Sequence, residues 1–180
     1  MSQLESPTPR TPRHTPAQAE RRAELADAAS GFDGFPAIKW LRATGVDESE
    51  TVDRWIGGRL APLPVGVTWD VVLLPHREGW RVWQQLQMLD VKTGPMLLTN
   101  KHMAVFVPTG SADDWDLPGA RVLKLGDTVE VPHPSVAAPR TQAAYSWVVP
   151  PLNEPVLTDC DDLYGAYAAV CVEHADGAPL

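Results

Sequence analysis

A long apolar run near the middle of the chain constrains the fold more than any other feature. Seven of the ten residues from Val65 to Leu74 are apolar. A near-continuous run of this kind is typical of a strand that is buried on both faces. It predicts a central strand over these ten residues. A turn from Pro75 to Gly79 and a helix from Trp80 to Leu89, with apolar residues at helical spacing, are expected to follow.

The rest of the chain alternates short strands with helices. Apolar patterning predicts further strands over 96–98, 103–107, 121–125, 128–131 and 145–149. The third and fourth of these flank Gly126-Asp127, which predicts a β-hairpin. Further helices are predicted over 47–56 and 159–172, whereas 38–41 fits either a helix or a strand. The pattern predicts an α+β fold in which a mixed or antiparallel sheet is flanked by helices.

Three polar residues are predicted to begin helical segments by capping. Asp47 is followed three residues later by Glu50, which is the spacing of a capping box. Thr158 stands in the same relation to Asp161. Ser111 is expected to cap a single helical turn.

Three regions are expected along the chain. Residues 1–15 are rich in proline and threonine and predict a disordered tail. Residues 16–30 are rich in alanine, glutamate and arginine and predict an N-terminal helix. Residues 36–176 contain the predicted strands and the remaining helices, so they are expected to form one folded domain.

The net charge of −8 limits the function classes that fit this chain. Non-specific affinity for nucleic acid comes mainly from lysine and arginine that neutralise phosphates. The acidic balance therefore argues against a general nucleic-acid coat and favours a protein partner, but it allows a local basic groove.

The two cysteines indicate a reducing compartment. Cys160 and Cys171 are eleven residues apart in one predicted helix, which is about 16 Å at the helical rise. A disulfide needs Cα atoms within about 7 Å, so we expect two free thiols and no zinc knuckle.

The start of the chain is polar, so we expect no secretory signal. The sequence has no run of about 18 apolar residues, so we expect no membrane span. A cytoplasmic protein without membrane contact is expected.

Four segments, in order, resemble motifs of one known family. They are Ala43-Thr44 with the helix at 47–55, the stretch 67–79, the stretch 94–106, and the stretch from Gly126 to Ser135 with Tyr145 and Trp147. Together they are similar to the N-terminal domain of bifunctional DNA primase/polymerases, a branch of the archaeo-eukaryotic primase superfamily. The resemblance covers about residues 36 to 172, and it implies a primase/polymerase-like single domain.

The resemblance implies a two-metal site that this sequence does not complete. Family members hold two divalent ions with a D-x-D pair on the central strand and a third acid on a later strand. Asp70 matches the first acid, but Val72 stands at the second position and Arg121 at about the third. Mg²⁺ prefers an octahedral set of oxygen ligands, so Asp70 is interpreted as a vestigial metal ligand. Mg²⁺ or Mn²⁺ is expected only if the domain is active.

The resemblance also implies a nucleotide contact. His102 matches the family's nucleotide-binding histidine with an offset of one residue, and Lys101 beside it can bind phosphate as a point charge. We therefore expect a catalytically degenerate domain that binds a nucleotide, single-stranded nucleic acid or a protein in a groove of the sheet.

Several alternatives remain open from the sequence. A working nucleotidyltransferase would need Asp70 and another acid, such as Asp90 or Glu130, to face each other across a metal pair about 4 Å apart. A plain protein-interaction module would show an exposed apolar patch. A hydrolase triad of Ser135, His102 and Asp70 lacks the Gly-x-Ser-x-Gly elbow.

Other residues have a structural and a functional reading. The segment from His76 to Glu78 is expected to be a solvated loop and helix start, and His133 between two prolines is expected to pack or to form a hydrogen bond. Trp80 and Trp115 are the two tryptophans whose context allows them to be exposed and to stack on bases.

Overall fold

The computed structural model describes residues 36–151 and 156–176, all of which lie in one compact unit. The predicted tail at 1–15 and the predicted helix at 16–30 lie outside the described residues. The elements in chain order are α1 (Pro36–Thr44), α2 (Glu48–Ile56), β1 (Ala61–Pro64), β2 (Trp69–Pro75), α3 (His76–Met88), β3 (Met96–Leu98), β4 (His102–Pro108), β5 (Arg121–Leu123), β6 (Thr128–Val131), β7 (Ser146–Val149) and α4 (Cys160–Asp176).

The strands form two antiparallel sheets. The larger sheet has five strands in the order β5-β2-β4-β3-β7, and β1 pairs with β6 in a separate two-stranded sheet. Four described helices accompany them. The predicted α+β class with an antiparallel sheet is confirmed, and the ambiguous segment 38–41 is helical.

The five-stranded sheet is covered on both faces, as the apolar run predicted. Because side chains alternate along a strand, Trp69 and Val71 point to one face and Val72 and Leu74 to the other. The first face, which we call the aromatic face, packs on α1, α2 and the two-stranded sheet. The second, which we call the helix face, packs on α3 and α4.

The ends of the central strand differ from the prediction. Residues 65–68 form a bend and not the start of a strand. Gly66 has φ +86°, and a Cβ there would lie 2.3 Å from the backbone nitrogen of Leu125, so only glycine fits. At the other end, β2 runs directly into α3 at His76 without the predicted turn. Gly79 faces the sheet, since its Cβ would lie 2.6 Å from Cβ of Met103, and so it serves close packing and not a turn.

The predicted hairpin around Gly126 is wrong. Both strands exist, but β5 pairs with β2 and β6 pairs with β1. The turn is closed by Asp127, whose side chain accepts from the Lys124 backbone N–H at 3.0 Å. Gly126 has φ +97°, which directs the chain out of one sheet and into the other.

The predicted caps are partly confirmed. The Asp47 side chain accepts from the Glu50 N–H at 3.0 Å, as expected for α2. At α4 the capping residue is Asp159, whose Oδ1 accepts from the N–H groups of residues 161 and 162. Thr158 instead accepts from the Gly94 N–H at 2.9 Å. Ser111 donates to the Pro108 carbonyl, and the segment after it is a turn and not a helix.

Two remaining expectations concern the helices. Cys160 and Cys171 are both free thiols on α4, as their spacing predicted. Within the described ranges, no helix has the length and apolar character needed to cross a membrane.

Candidate functional site

Register brings two of the family-matched positions to one end of the large sheet. His102 lies opposite Pro75, and Arg121 lies opposite Leu73. Residues that face each other in an antiparallel pair project to the same side of the sheet. His102 and Arg121 therefore share the aromatic face with Leu73 and Pro75, at the end where β2 meets α3.

Five basic or histidine side chains line this end of the sheet, which we call the basic edge: His76, Arg77, Lys101, His102 and Arg121. Four of them are exposed and His102 is half-buried. Since neighbouring strands lie about 4.8 Å apart, the three strands involved span about 10 Å. The edge is narrow enough for one ligand to contact several of these groups.

The amino end of α3 adds backbone donors to the basic edge. Its capping position is Pro75, which provides no side-chain hydrogen bond to the first turn. The first N–H groups of a helix have no partner within the helix, and they carry a partial positive charge. The acid of this turn is Glu78, which is half-buried. It lies toward Tyr167 of α4. Burial is the largest of several causes that raise the pKa of Tyr167, and the negative charge of Glu78 is the smallest.

A rigid turn holds Lys101 and His102 in place. The Thr99 hydroxyl accepts from the backbone N–H of His102 at 2.9 Å and of Lys101 at 3.3 Å. The Thr99 backbone N–H also donates to the His102 carbonyl at 2.8 Å. The turn therefore presents the Lys101 side chain to solvent from a fixed backbone.

Asp70 lies at the opposite end of the sheet and on its other face. It pairs with Val107, about 16 Å along β4 from His102 at the strand rise. Its exposed fraction is 2%. Oδ2 accepts from the Gly110 N–H at 2.7 Å, and Oδ1 is buried without a hydrogen-bond partner among the described residues. The structure therefore does not bring Asp70 together with His102 or Lys101.

The charged neighbour of Asp70 across the sheet is a lysine. Lys124 follows β5 and donates to Oδ1 of Asp113 at 2.6 Å. This hydrogen bond raises the pKa of Lys124, burial opposes it, and the negative charges of Asp113 and Asp70 add to it. The Lys124 cation therefore offsets part of the negative charge of Asp70 and Asp113.

The described residues do not fit a two-metal centre. Among the side chains that the structure describes, no group of three or more His, Cys, Asp or Glu could hold a metal ion. Glu130 lies on β6 in the other sheet, and Asp90 lies beyond the end of α3. The pair of β2 positions that face Arg121 and His102 is Leu73 and Pro75, which have no side-chain oxygen.

His133 is a buried histidine held by its neighbours. Its Nδ1 accepts from the backbone N–H of Ser135 at 3.1 Å. A backbone N–H can only donate, so the neutral ring carries its proton on Nε2. The Ser135 hydroxyl lies 2.7 Å from the same nitrogen, and the ring packs edge-on against Trp55 at 5.1 Å between centroids. Burial lowers the pKa of His133 to about 4.

The structure also does not bring together Ser135, His102 and Asp70, the three residues considered as a hydrolase triad. The serine contacts His133, and the other two residues lie on opposite faces of the large sheet.

Neither tryptophan singled out as a stacking surface is fully exposed. Trp115 is half-buried, and its indole N–H is buried. Its ring centroid lies 5.2 Å from that of Tyr164 and 6.3 Å from that of Tyr167. Trp80 is half-buried on α3 and packs edge-on against Trp83 at 5.5 Å.

Sequence reasoning missed the contribution of His76 and Arg77 to the basic edge. Both were expected in a solvated loop and helix start, and they form the first turn of α3, directly after Pro75, which pairs with His102. The signal was Pro75, because proline tolerates an extended strand end and also precedes helices well. No family model, curated protein or solved structure matches this chain.

Proposed function

We propose that this chain is a catalytically degenerate primase/polymerase-like domain that binds the phosphates of a nucleotide or a single-stranded nucleic acid at the basic edge. The observation that carries the proposal is the register that sets His102 opposite Pro75 and Arg121 opposite Leu73. The same register supports the proposal because it brings His102 to the end of the sheet where α3 begins, and Pro75 there provides no side-chain cap.

The distribution of charge supports an anionic ligand. The chain has a net charge of −8, yet the basic edge holds Arg77, Lys101 and Arg121 together. Acidic residues gather at the other end of the sheet, in the turn after β4 and the first turn of α4, namely Asp113, Asp114, Asp159, Asp161 and Asp162. A local field of this kind attracts phosphate despite the overall charge, and the first N–H groups of α3 suit the same ligand.

The side chains at the basic edge support binding without phosphoryl-transfer chemistry. Two-metal catalysis needs carboxylates that hold both ions and activate the attacking oxygen. Leu73 and Pro75 supply none, and the third acid is replaced by Arg121. An arginine guanidinium can neutralise phosphate directly through paired hydrogen bonds, so a ligand here needs no metal bridge.

Reversing charge at the basic edge is expected to weaken binding of a single-stranded oligonucleotide. Lys101→Glu combined with Arg121→Glu removes two cations and adds two anions. We expect the dissociation constant to rise at least about tenfold at moderate salt, because phosphate affinity depends on neutralising charge. Fluorescence anisotropy with a labelled oligonucleotide measures the change.

A matched control keeps the same change in net charge. Lys92→Glu combined with Arg42→Glu alters two exposed cations at the other end of the sheet, since Lys92 follows α3 and Arg42 precedes Ala43, whose carbonyl accepts from Thr68 just before β2. We expect the control to leave affinity within about threefold of the wild type, as long-range charge is screened. Equal loss in both double variants, or no binding by the wild type, contradicts the proposal.

A cytoplasmic location belongs to the same proposal. The support for it is the pair of free thiols, Cys160 and Cys171, since thiols persist in reducing compartments.

A further inference from the structure

Trp80 stands on the second turn of the same helix whose amino end forms part of the basic edge. It lies four residues after His76 and three after Arg77, so it shares a side of the helix with both. Long side chains of a helix lean toward its amino end and cover the preceding turn. The Trp80 side chain is therefore expected to lean toward the turn of α3 that carries His76 and Arg77.

The flank of α3 that carries Trp80 is the one away from α4. Arg81 pairs with Glu173 of α4. Gly79 faces the sheet, and successive helical residues are about 100° apart around the axis. Trp80 and Arg81 therefore project to opposite flanks of α3. Tyr167 of α4 donates to the Pro118 carbonyl at 2.7 Å, just before β5. The part of α4 around Tyr167 therefore lies on the β5 side of the sheet, whereas the segment that leads into α4 contacts Gly94 before β3.

The Lys101 turn lies on the side of the sheet that Trp80 faces. Strand β3 is on the other side of β4 from β2 and β5, and the turn from β3 to β4 carries Lys101. Trp80 is thus on the flank of α3 that faces the strand pair joined by the Lys101 turn. Its edge-on contact with Trp83, with centroids 5.5 Å apart, holds the half-buried ring in place.

We propose that Trp80 is a stacking surface for a base of a single-stranded nucleic acid whose phosphates lie along the basic edge. The inference rests on the proposed function and narrows its ligand to a single strand. Cations that follow a backbone, together with an aromatic ring that takes a base, are the combination by which proteins bind single strands without sequence preference. In a duplex the bases are already stacked and paired, so a duplex cannot use Trp80.

The test compares two oligonucleotides of equal charge. One is an oligothymidylate of about twelve nucleotides, within the usual site size, and the other is an abasic strand of the same length. Both are titrated into the full chain, as the wild type and as Trp80→Leu and Trp80→Phe. We expect the wild type to bind the thymidylate about five- to 100-fold more tightly than the abasic strand.

The variants separate stacking from folding. Trp80→Leu keeps apolar bulk but removes the ring, so the preference for bases is expected to disappear while abasic affinity stays unchanged. Trp80→Phe is expected to keep part of the preference. Trp115→Leu, at a half-buried tryptophan outside α3, is the matched control and is expected to keep all of it. Thermal unfolding of each variant verifies that it is folded.

The outcomes distinguish this inference from the proposed function. Equal affinity of the wild type for both strands, with a loss in the Lys101→Glu and Arg121→Glu variant, overturns the role of Trp80 and leaves phosphate binding intact. A base preference that survives Trp80→Leu also overturns it. Failure of the wild type to bind either strand overturns both proposals.

Discussion

Replacing Trp147 with alanine is expected to lower the free energy of unfolding by about 3–5 kcal/mol, the usual cost of a large aromatic truncation in a core. Trp147 is fully buried on β7. Its ring lies 5.9 Å from both Trp40 and Phe106, at 84° and 43° to them. Urea denaturation of wild type and variant measures the difference.

The size of this effect follows from the place of Trp147 between the two sheets. β7 pairs with β3 in the large sheet. The indole N–H donates to the Pro132 carbonyl at 3.3 Å, directly after β6 of the small sheet. Truncation therefore leaves a cavity in the aromatic face and also leaves a buried acceptor unsatisfied, and both changes destabilise the fold.

Trp147→Phe separates the loss of ring packing from the loss of the hydrogen bond to Pro132. Phenylalanine retains a ring in the aromatic cluster but cannot donate to Pro132. We expect it to cost about 1–3 kcal/mol, the range for a buried group left without its partner. An alanine variant as stable as the phenylalanine variant would contradict the role given to ring packing.

Acid is expected to destabilise the protein through His133 by on the order of 3 kcal/mol between about pH 6.5 and pH 4. Burial lowers the pKa of His133 to about 4 in the folded state, whereas an unfolded histidine titrates near 6.5. Above pH 6.5 both states are neutral, and the stability is fully present. As the pH falls, the unfolded state takes up a proton first and unfolding becomes more favourable. Below about pH 4 both states are protonated, so this loss ends.

Comparison with His133→Asn isolates this contribution from the titration of carboxylates. Asparagine can still accept from the Ser135 N–H but does not titrate. We expect the difference in unfolding free energy between wild type and variant to be constant above pH 6.5 and to shift by on the order of 3 kcal/mol by pH 4. His102→Asn is the matched control, because it makes the same replacement at a half-buried histidine. A pH-independent difference for His133→Asn would show that its folded and unfolded pKa values are equal.

The fold class could be predicted because its signals are local. The apolar run on β2 required cover on both faces, and Asp47 capped its helix through Glu50, as the spacing indicated. The hairpin prediction failed because strand partners are a non-local choice. Gly126 marks a turn correctly, but the sequence does not say which sheet the next strand joins.

The candidate site was only partly predictable for the same reason. Lys101 and His102 were identified, but the presence of Arg77 and Arg121 at the same end of the sheet depends on the register of β2 with β4 and β5. Register also decides that Asp70 and His102 lie on opposite faces, since a shift of one residue would reverse the faces. Lys124 beside Asp70 could not be inferred from spacing, because it follows a strand that the sequence had paired elsewhere.

The central claim is that the basic edge binds phosphate with its own cations and no metal. The most direct test titrates a single-stranded oligonucleotide into the wild type in EDTA and again in Mn²⁺. We expect the same affinity in both after correction for ionic strength, since Leu73 and Pro75 offer no metal ligand. Binding that appears only with Mn²⁺, and that Asp70→Ala abolishes, would contradict the claim and indicate a working metal site.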